Sequence, residues 1–368
     1  MFLNKFHIYN YIKSLVYLVE NVVKNKKIYI KLFCSKIYLI YKERNNIFYF
    51  FYRSYVNIND FTLCVKLDIL VSLLKNLSNF ELLFNKLSDN KLLIKNNNFK
   101  FLFNKYSENN LNFNILFLFN KLTKFKILSN ELLNSLIFLL PILKISKNSN
   151  LLFLNLIFYN YRIEFIVTDG FRINKCYIFP FFCLNFLKIY KFSLNKSKVI
   201  FLIELLKICN SKYIYLYINN NIFFIRFFNF IYYTNDIFEF NYNYPIYFSK
   251  GICKFKLNRK KLLDSIKRIT FLFSKFNNEI EIKFYRNYIK LFYFRNLYEK
   301  SILTLSSFCY LKLSKYIKNT IKLNSKFLLD FLNSSSSKNV YLYYKSFCKD
   351  LMLVFDNNFI SLIMPILY

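Results

Sequence analysis

Three stretches of this 368-residue chain repeat one another nearly position for position. Phe125-Lys126-Ile127-Leu128-Ser129-Asn130-Glu131-Leu132-Leu133-Asn134-Ser135-Leu136 matches Phe255-Lys256-Leu257-Asn258-Arg259-Lys260-Lys261-Leu262-Leu263-Asp264-Ser265-Ile266, and the third copy is Ile321-Lys322-Leu323-Asn324-Ser325-Lys326-Phe327-Leu328-Leu329-Asp330-Phe331-Leu332. Each opens with the apolar–polar alternation of a strand, then passes through an Asn or Ser cap into apolar residues at helical spacing. The repeated unit is strand, tight turn, helix. Weaker copies complete a series starting at positions 6, 65, 125, 199, 255 and 321. Phe6-His7-Ile8 leads into Tyr11, Ile12 and Leu15; Val65-Lys66-Leu67-Asp68 into Leu70, Leu73, Leu74 and Leu77; Val199-Ile200-Phe201 into Ile203, Leu205 and Leu206.

Behind each helix come alternating strand patterns, such as Tyr213 to Ile218, the turn Asn219-Asn220-Asn221, and Ile222 to Ile225. The chain therefore reads as α+β, with six βαβββ-like units paired into three domains at 1–122, 123–250 and 251–368. A lone unit leaves one sheet face and one helix stripe uncovered, so two must pack to close a core. On the fifth helix Leu262, Leu263, Ile266 and Ile269 form the inward stripe, and Lys260, Lys261, Asp264, Lys267 and Arg268 share the opposite face. A solvated surface is the plain account of one such face; its repetition along the chain points to a shared surface of helices.

Composition narrows the function classes. With 48 Phe, 32 Tyr and no Trp, and with Asn, Lys and Ile abundant, the chain looks shaped by A/T-rich codons. The same drift enriches lysine, so the formal charge of +34 says only that a partner bound through the bulk field is anionic. Eight scattered cysteines form no C-x-x-C pair, which fits reduced thiols in a cytosolic protein. The start, Met1 to His7, has no secretory pattern, and apolar runs such as Leu136 to Leu143 are too short to span a bilayer. The expectation is a cytoplasmic protein with no membrane partner.

Enzymatic chemistry finds little support. The single histidine, His7, lies in a strand-like stretch; Asp169 and Glu164 lack further acids to make a metal site. The chain has two glycines, Gly170 and Gly251, and these cannot build a phosphate-binding loop. No catalytic residue, metal or cofactor is expected. A chain that has otherwise lost glycine should retain it where the backbone needs φ > 0. Gly170 stands in the run Thr168-Asp169-Gly170-Phe171-Arg172-Ile173.

That run resembles the T-D-G-H-R-L motif in the second domain of the bacterial DNA polymerase III beta subunits, the sliding clamps. Ile363-Met364-Pro365-Ile366-Leu367-Tyr368 resembles the family's V-M-P-M-R-L segment, and Leu323-Asn324-Ser325-Lys326-Phe327-Leu328-Leu329-Asp330 is similar to its F-N-V-S-Y-V-L-D segment. Their order, their spacing and the sixfold repeat extend the resemblance over the whole chain. It implies a non-catalytic head-to-tail homodimer whose six DNA-clamp domains close a ring around duplex DNA, helices inside and sheets outside. A clamp loader opens such a ring, and the DNA polymerase III catalytic subunit binds it through a short peptide with apolar anchors.

Carried over residue by residue, the peptide pocket has Thr168, Gly170, Arg172 and Ile173 on one wall, with Phe153 or Leu154 beside them. Asn324, Phe327, Leu362, Ile363, Met364, Pro365 and Ile366 form the other. An apolar cleft with few polar groups seats Leu and Phe anchors, and a flexible Met lets it adapt. Phe171 replaces the family's usual His, Glu239 falls near a usual proline, and arginines expected near Tyr242 and Asn243 are absent. The resemblance places Lys13, Lys75, Lys207, Lys260 and Lys267 on helix faces lining the hole, with Lys24, Lys26, Lys27, Lys144 and Lys147 on loops beside it. It also pairs Phe101 and Phe103 with Phe271 and Leu272 of the other subunit. The other reading is a non-catalytic basic protein that coats nucleic acid through lysines and exposed aromatics.

Overall fold

The computed structural model describes residues 2–4, 27–33, 36–43, 46–53, 61–66, 69, 81–88, 91–96, 99–104, 122–145, 153–208, 211–219, 222–227, 230–234, 238–239, 253–273, 278–285, 287–294, 300–306, 308–309, 320–345, 351–356 and 358–366. Four repeated strand–helix units fall within them. Strand Thr123–Leu128 runs into α1 (Ser129–Ile145), and Tyr190–Asn195 into α2 (Lys196–Ile208), so Val199-Ile200-Phe201, expected as the strand of its unit, lies inside the helix and the unit starts earlier than position 199. Strand Cys253–Asn258 runs into α3 (Arg259–Phe273), and Thr320–Asn324 into α4 (Ser325–Ser334). The helices expected after positions 6 and 65 lie outside the described residues.

The abrupt change from strand to helix follows from the cap residues. Helix N-termini leave unpaired N–H groups, and a short amide side chain satisfies one of them. Asn195 Oδ1 accepts from Lys198 N at 3.0 Å, Asn258 Oδ1 from Lys261 N at 3.1 Å, and Asn324 Oδ1 from Lys326 N at 3.0 Å. On α3 the expected stripe of Leu262, Leu263, Ile266 and Ile269 is buried, while Lys260, Lys261, Asp264, Lys267 and Arg268 are exposed.

Two compact units make up the chain. The first comprises Met1–Asn130, Pro180–Tyr190 and Phe201–Ile237; the second comprises Glu131–Phe179, Lys191–Ile200 and Phe238–Tyr368. Within the first, a nine-stranded sheet joins Asn46–Arg53 to Phe230–Thr234 by antiparallel pairing, with Tyr232 opposite Phe48. In the same sheet Tyr213–Asn219 pairs antiparallel with Ile222–Arg226, with Asn219 opposite Ile222. A four-stranded sheet containing Glu81–Ser88, Lys91–Asn96 and Phe99–Asn104 belongs to the same unit.

The second unit has a ten-stranded sheet and a separate four-stranded sheet. In the larger sheet Arg172–Ile178 pairs antiparallel with Phe359–Ile363, so Arg172 lies opposite Ile363 and Ile173 opposite Leu362. This joint brings together two segments far apart in sequence. Helices pack over the buried face. Phe138 of α1 stacks on Phe359 at 4.5 Å between centroids and meets Phe331 of α4 edge-on at 5.7 Å. Phe255 of the larger sheet touches Phe284 of the smaller at 4.8 Å, tying both to one core. None of the described helices is long and apolar enough to cross a membrane.

Candidate functional site

The run Thr168 to Ile173 forms the hairpin between Ile163–Thr168 and Arg172–Ile178, with Thr168 opposite Ile173. Gly170 has φ 90, a conformation that costs a side-chain-bearing residue energy and glycine almost none. The turn is locked by its own side chains. Asp169 Oδ1 accepts from the N–H groups of Phe171 (3.1 Å) and Arg172 (3.0 Å), and Thr168 Oγ1 donates to Arg172 O at 2.9 Å. Gly170 N–H returns to Thr168 Oγ1 at 3.2 Å. The consequence is a rigid tip that holds Phe171 out in solvent at 66% exposure.

Arg172, the first residue of its strand, is 1% exposed and anchors that tip. Its Nε meets Asp169 Oδ2 at 3.0 Å, its Nη1 meets Asp330 Oδ2 of α4 at 2.8 Å, and its guanidinium lies 4.3 Å from the centroid of the Phe327 ring. Nη2 is buried with no hydrogen-bond partner. A planar guanidinium can serve two carboxylates and a ring face at once, which a lysine cannot.

Beyond Ile363 the chain leaves the larger sheet. Met364 N–H donates to Phe171 O at 3.0 Å, Pro365 has no N–H to give, and Ile366 N–H donates to Lys322 O at 2.9 Å. Residues 364–366 thus cross from the Gly170 turn to the strand that precedes α4. Met364 is 42% exposed beside Phe171, giving two large apolar side chains at a fixed backbone spacing. Below them Ile173 and Leu362 pack with Ile157 and Ile166 in one buried cluster against Tyr159.

The structure accordingly brings Thr168, Gly170, Arg172, Ile173, Phe327, Leu362, Ile363, Met364 and Ile366 into one neighbourhood, with Pro365 half-buried among them. Asn324, half-buried, caps α4 at its edge. Leu154 is fully buried on Phe153–Phe158, the strand paired with Ile163–Thr168. Asp330 was not among the residues expected here. The signal for it was its place three residues after Phe327, on the same side of a helix.

Two acids considered for metal binding are otherwise engaged: Asp169 as above, and Glu164 with Arg162 Nη2 and Lys175 Nζ, each at 2.8 Å. On the adjacent strand Arg172–Ile178, burial pushes the Cys176 thiol up to about 12, with a Ser135 hydrogen bond opposing and Asp356 adding to the shift. That thiol stays protonated and unreactive.

Of the lysines expected near DNA, Lys260 and Lys267 are exposed on α3, and Lys144, expected on a loop, is instead exposed in the last turn of α1, which runs on to Ile145. Lys207, on α2, ion-pairs with Glu204 at 2.8 Å. Lys27, also expected on a loop, instead begins the strand Lys27–Phe33 and lies opposite Lys66, whereas Lys13, Lys24, Lys26, Lys75 and Lys147 lie outside the described residues. Phe271 on α3 is 85% exposed; Leu272 follows it, and Phe101 and Phe103 lie on Phe99–Asn104.

No family model matches the chain, and no curated protein does. Solved structures do match, over its whole length. A DNA polymerase sliding clamp from Pseudomonas aeruginosa is 12% identical, with a TM-score of 0.74 over 100% of this chain and 99% of that one. The DNA polymerase III beta subunit from Thermotoga maritima is 12% identical with a TM-score of 0.72, again over 100% and 99%. The Helicobacter pylori beta clamp bound to a DNA ligase peptide is 14% identical with a TM-score of 0.75 over 100% and 99%. From end to end, then, this α+β chain has the fold of the bacterial DNA polymerase III beta subunits, the sliding clamps.

Proposed function

We propose that the protein is a DNA sliding clamp. Two copies, each with three clamp domains at 1–122, 123–250 and 251–368, close head to tail around duplex DNA, helices facing the hole. The ring tethers the DNA polymerase III catalytic subunit for processive synthesis after a clamp loader has opened and closed it. It works in the cytoplasm, needs no cofactor, and has no catalytic step of its own. The observation that carries this reading is the likeness of fold over the whole of both chains.

The chemistry of such a device is retention and recognition. Lys260, Lys261, Lys267 and Arg268 give α3 an exposed basic face suited to phosphates, whose contacts position without reading sequence. The site around Phe171 and Met364 suits a peptide with Leu or Phe anchors: exposed apolar side chains on a locked turn lose little entropy on binding. These two side chains are spread into solvent, so truncating them should leave stability within about 0.5 kcal/mol. The double substitution Phe171→Ala, Met364→Ala is expected to weaken a labelled polymerase peptide at least tenfold, about 1.4 kcal/mol. Unchanged affinity in a fluorescence titration would place the partner site elsewhere.

One observation favours the second reading, a coat for nucleic acid. Lys124 and Lys126 sit over Tyr215 and Tyr213 at 4.5 and 4.3 Å, and both lie within 6 Å of Phe182. Such lysine–aromatic strips can stack single-stranded bases. A coat, unlike a ring, dissociates equally from closed and open DNA.

A further inference from the structure

Resting on the partner-site reading above, we propose that Asp330 and Asp169 are positioning residues for the partner site: together they clasp Arg172 and thereby fix Phe171 and Met364 relative to α4. Both oxygens of Asp169 are engaged. One of its oxygens takes two turn amides and the other takes Arg172 Nε at 3.0 Å, so turn and guanidinium move together. Asp330 then fastens that guanidinium to α4 through Nη1 at 2.8 Å, over the ring of Phe327. Met364 is held to the same turn through Phe171 O, and Ile366 to Lys322 O on the strand entering α4.

The wall made by the turn and the wall made by α4 are therefore joined twice, by main chain at Met364–Ile366 and by charge at Arg172–Asp330. The charged joint can be changed without touching Phe171 or Met364. Arg172 is 1% exposed, its Nη2 has no hydrogen-bond partner, and its ion pairs among the described residues are those with Asp169 and Asp330. Asp330, at 21% side-chain exposure, is the accessible half of the clasp.

The test compares wild type, Asp330→Asn, Arg172→Lys and the double variant in the full-length protein. Amide hydrogen exchange is read at Phe171 and Met364, with the strand Tyr213–Asn219 as internal reference. A labelled polymerase peptide is titrated in parallel. We expect exchange at Phe171 and Met364 at least tenfold faster in Asp330→Asn, with the reference strand unchanged and the peptide bound at least tenfold more weakly. Arg172→Lys should act alike because a lysine cannot span both carboxylates, and the double variant should be no worse than either single, as for two halves of one interaction. Wild-type exchange rates at Phe171 and Met364 in Asp330→Asn, or additive losses in the double variant, would overturn the clasp. A wild-type protein that fails to bind the peptide would instead overturn the partner-site reading, while the exchange rates still decide the clasp.

Discussion

Phe138→Ala is expected to cost about 3–5 kcal/mol, the range for truncating a buried aromatic ring. Phe138 is 1% exposed and holds three elements at once: it sits on α1, stacks on Phe359 with an interplanar angle of 24°, and meets Phe331 of α4 at 84°. No small shift of one helix can refill the space left by a ring wedged between two others. The unfolding midpoint should fall by on the order of 10 °C, measured by near-ultraviolet circular dichroism. Ile137, its neighbour at 39% exposure, supplies the control, because Ile137→Ala removes a smaller and less buried side chain than Phe138→Ala. Equal midpoints for the two variants would mean that α1 is not packed as described.

The second large effect concerns assembly. Phe271 is 85% exposed in the single chain, an unusual state for a phenylalanine on a regular helix. In the proposed ring Phe271 and Leu272 meet Phe101 and Phe103 of the other subunit, a heterologous contact that closes after two copies. Replacing Phe271 and Leu272 by alanine removes two interface anchors, each worth on the order of 2 kcal/mol. Sedimentation should then show a species of 45.0 kDa, where wild type shows twice that mass. A double variant that remains dimeric at low concentration would show that the subunits meet elsewhere.

The parts of this structure that sequence made legible are those written locally. The α3 stripe follows from helical spacing, and the Asn195, Asn258 and Asn324 caps from the need to satisfy helix N–H groups. The turn at Gly170 follows from a scarce glycine placed between two strand patterns, and its φ of 90 accounts for its retention. Pairing between distant strands was not legible, because alternation tells which face is buried but not which strand lies alongside. The joint of Arg172–Ile178 with Phe359–Ile363 is of this kind, as is that of Asn46–Arg53 with Phe230–Thr234.

The segments that meet around the Gly170 turn were legible through resemblance, and the charge contacts that join them less so. Arg172 and Asp330 are 158 residues apart, and no local pattern announces that one guanidinium serves two carboxylates. Lysines were the least informative residues. Lys207 satisfies the helical pattern expected of a DNA-facing residue, yet it lies 2.8 Å from Glu204, an i, i+3 neighbour that the same periodicity could have exposed.

Retention on DNA tests the central claim most directly. The protein is placed on a nicked circular duplex with a bacterial clamp loader and challenged with salt high enough to screen lysine–phosphate contacts. The circle is then cut once. A topological tether predicts protein that persists on the circle through the salt challenge and is lost soon after cutting, as it slides from the free ends. Loss from circular and linear DNA at the same rate and with the same salt dependence would contradict the ring and leave the basic coat as the account of this protein.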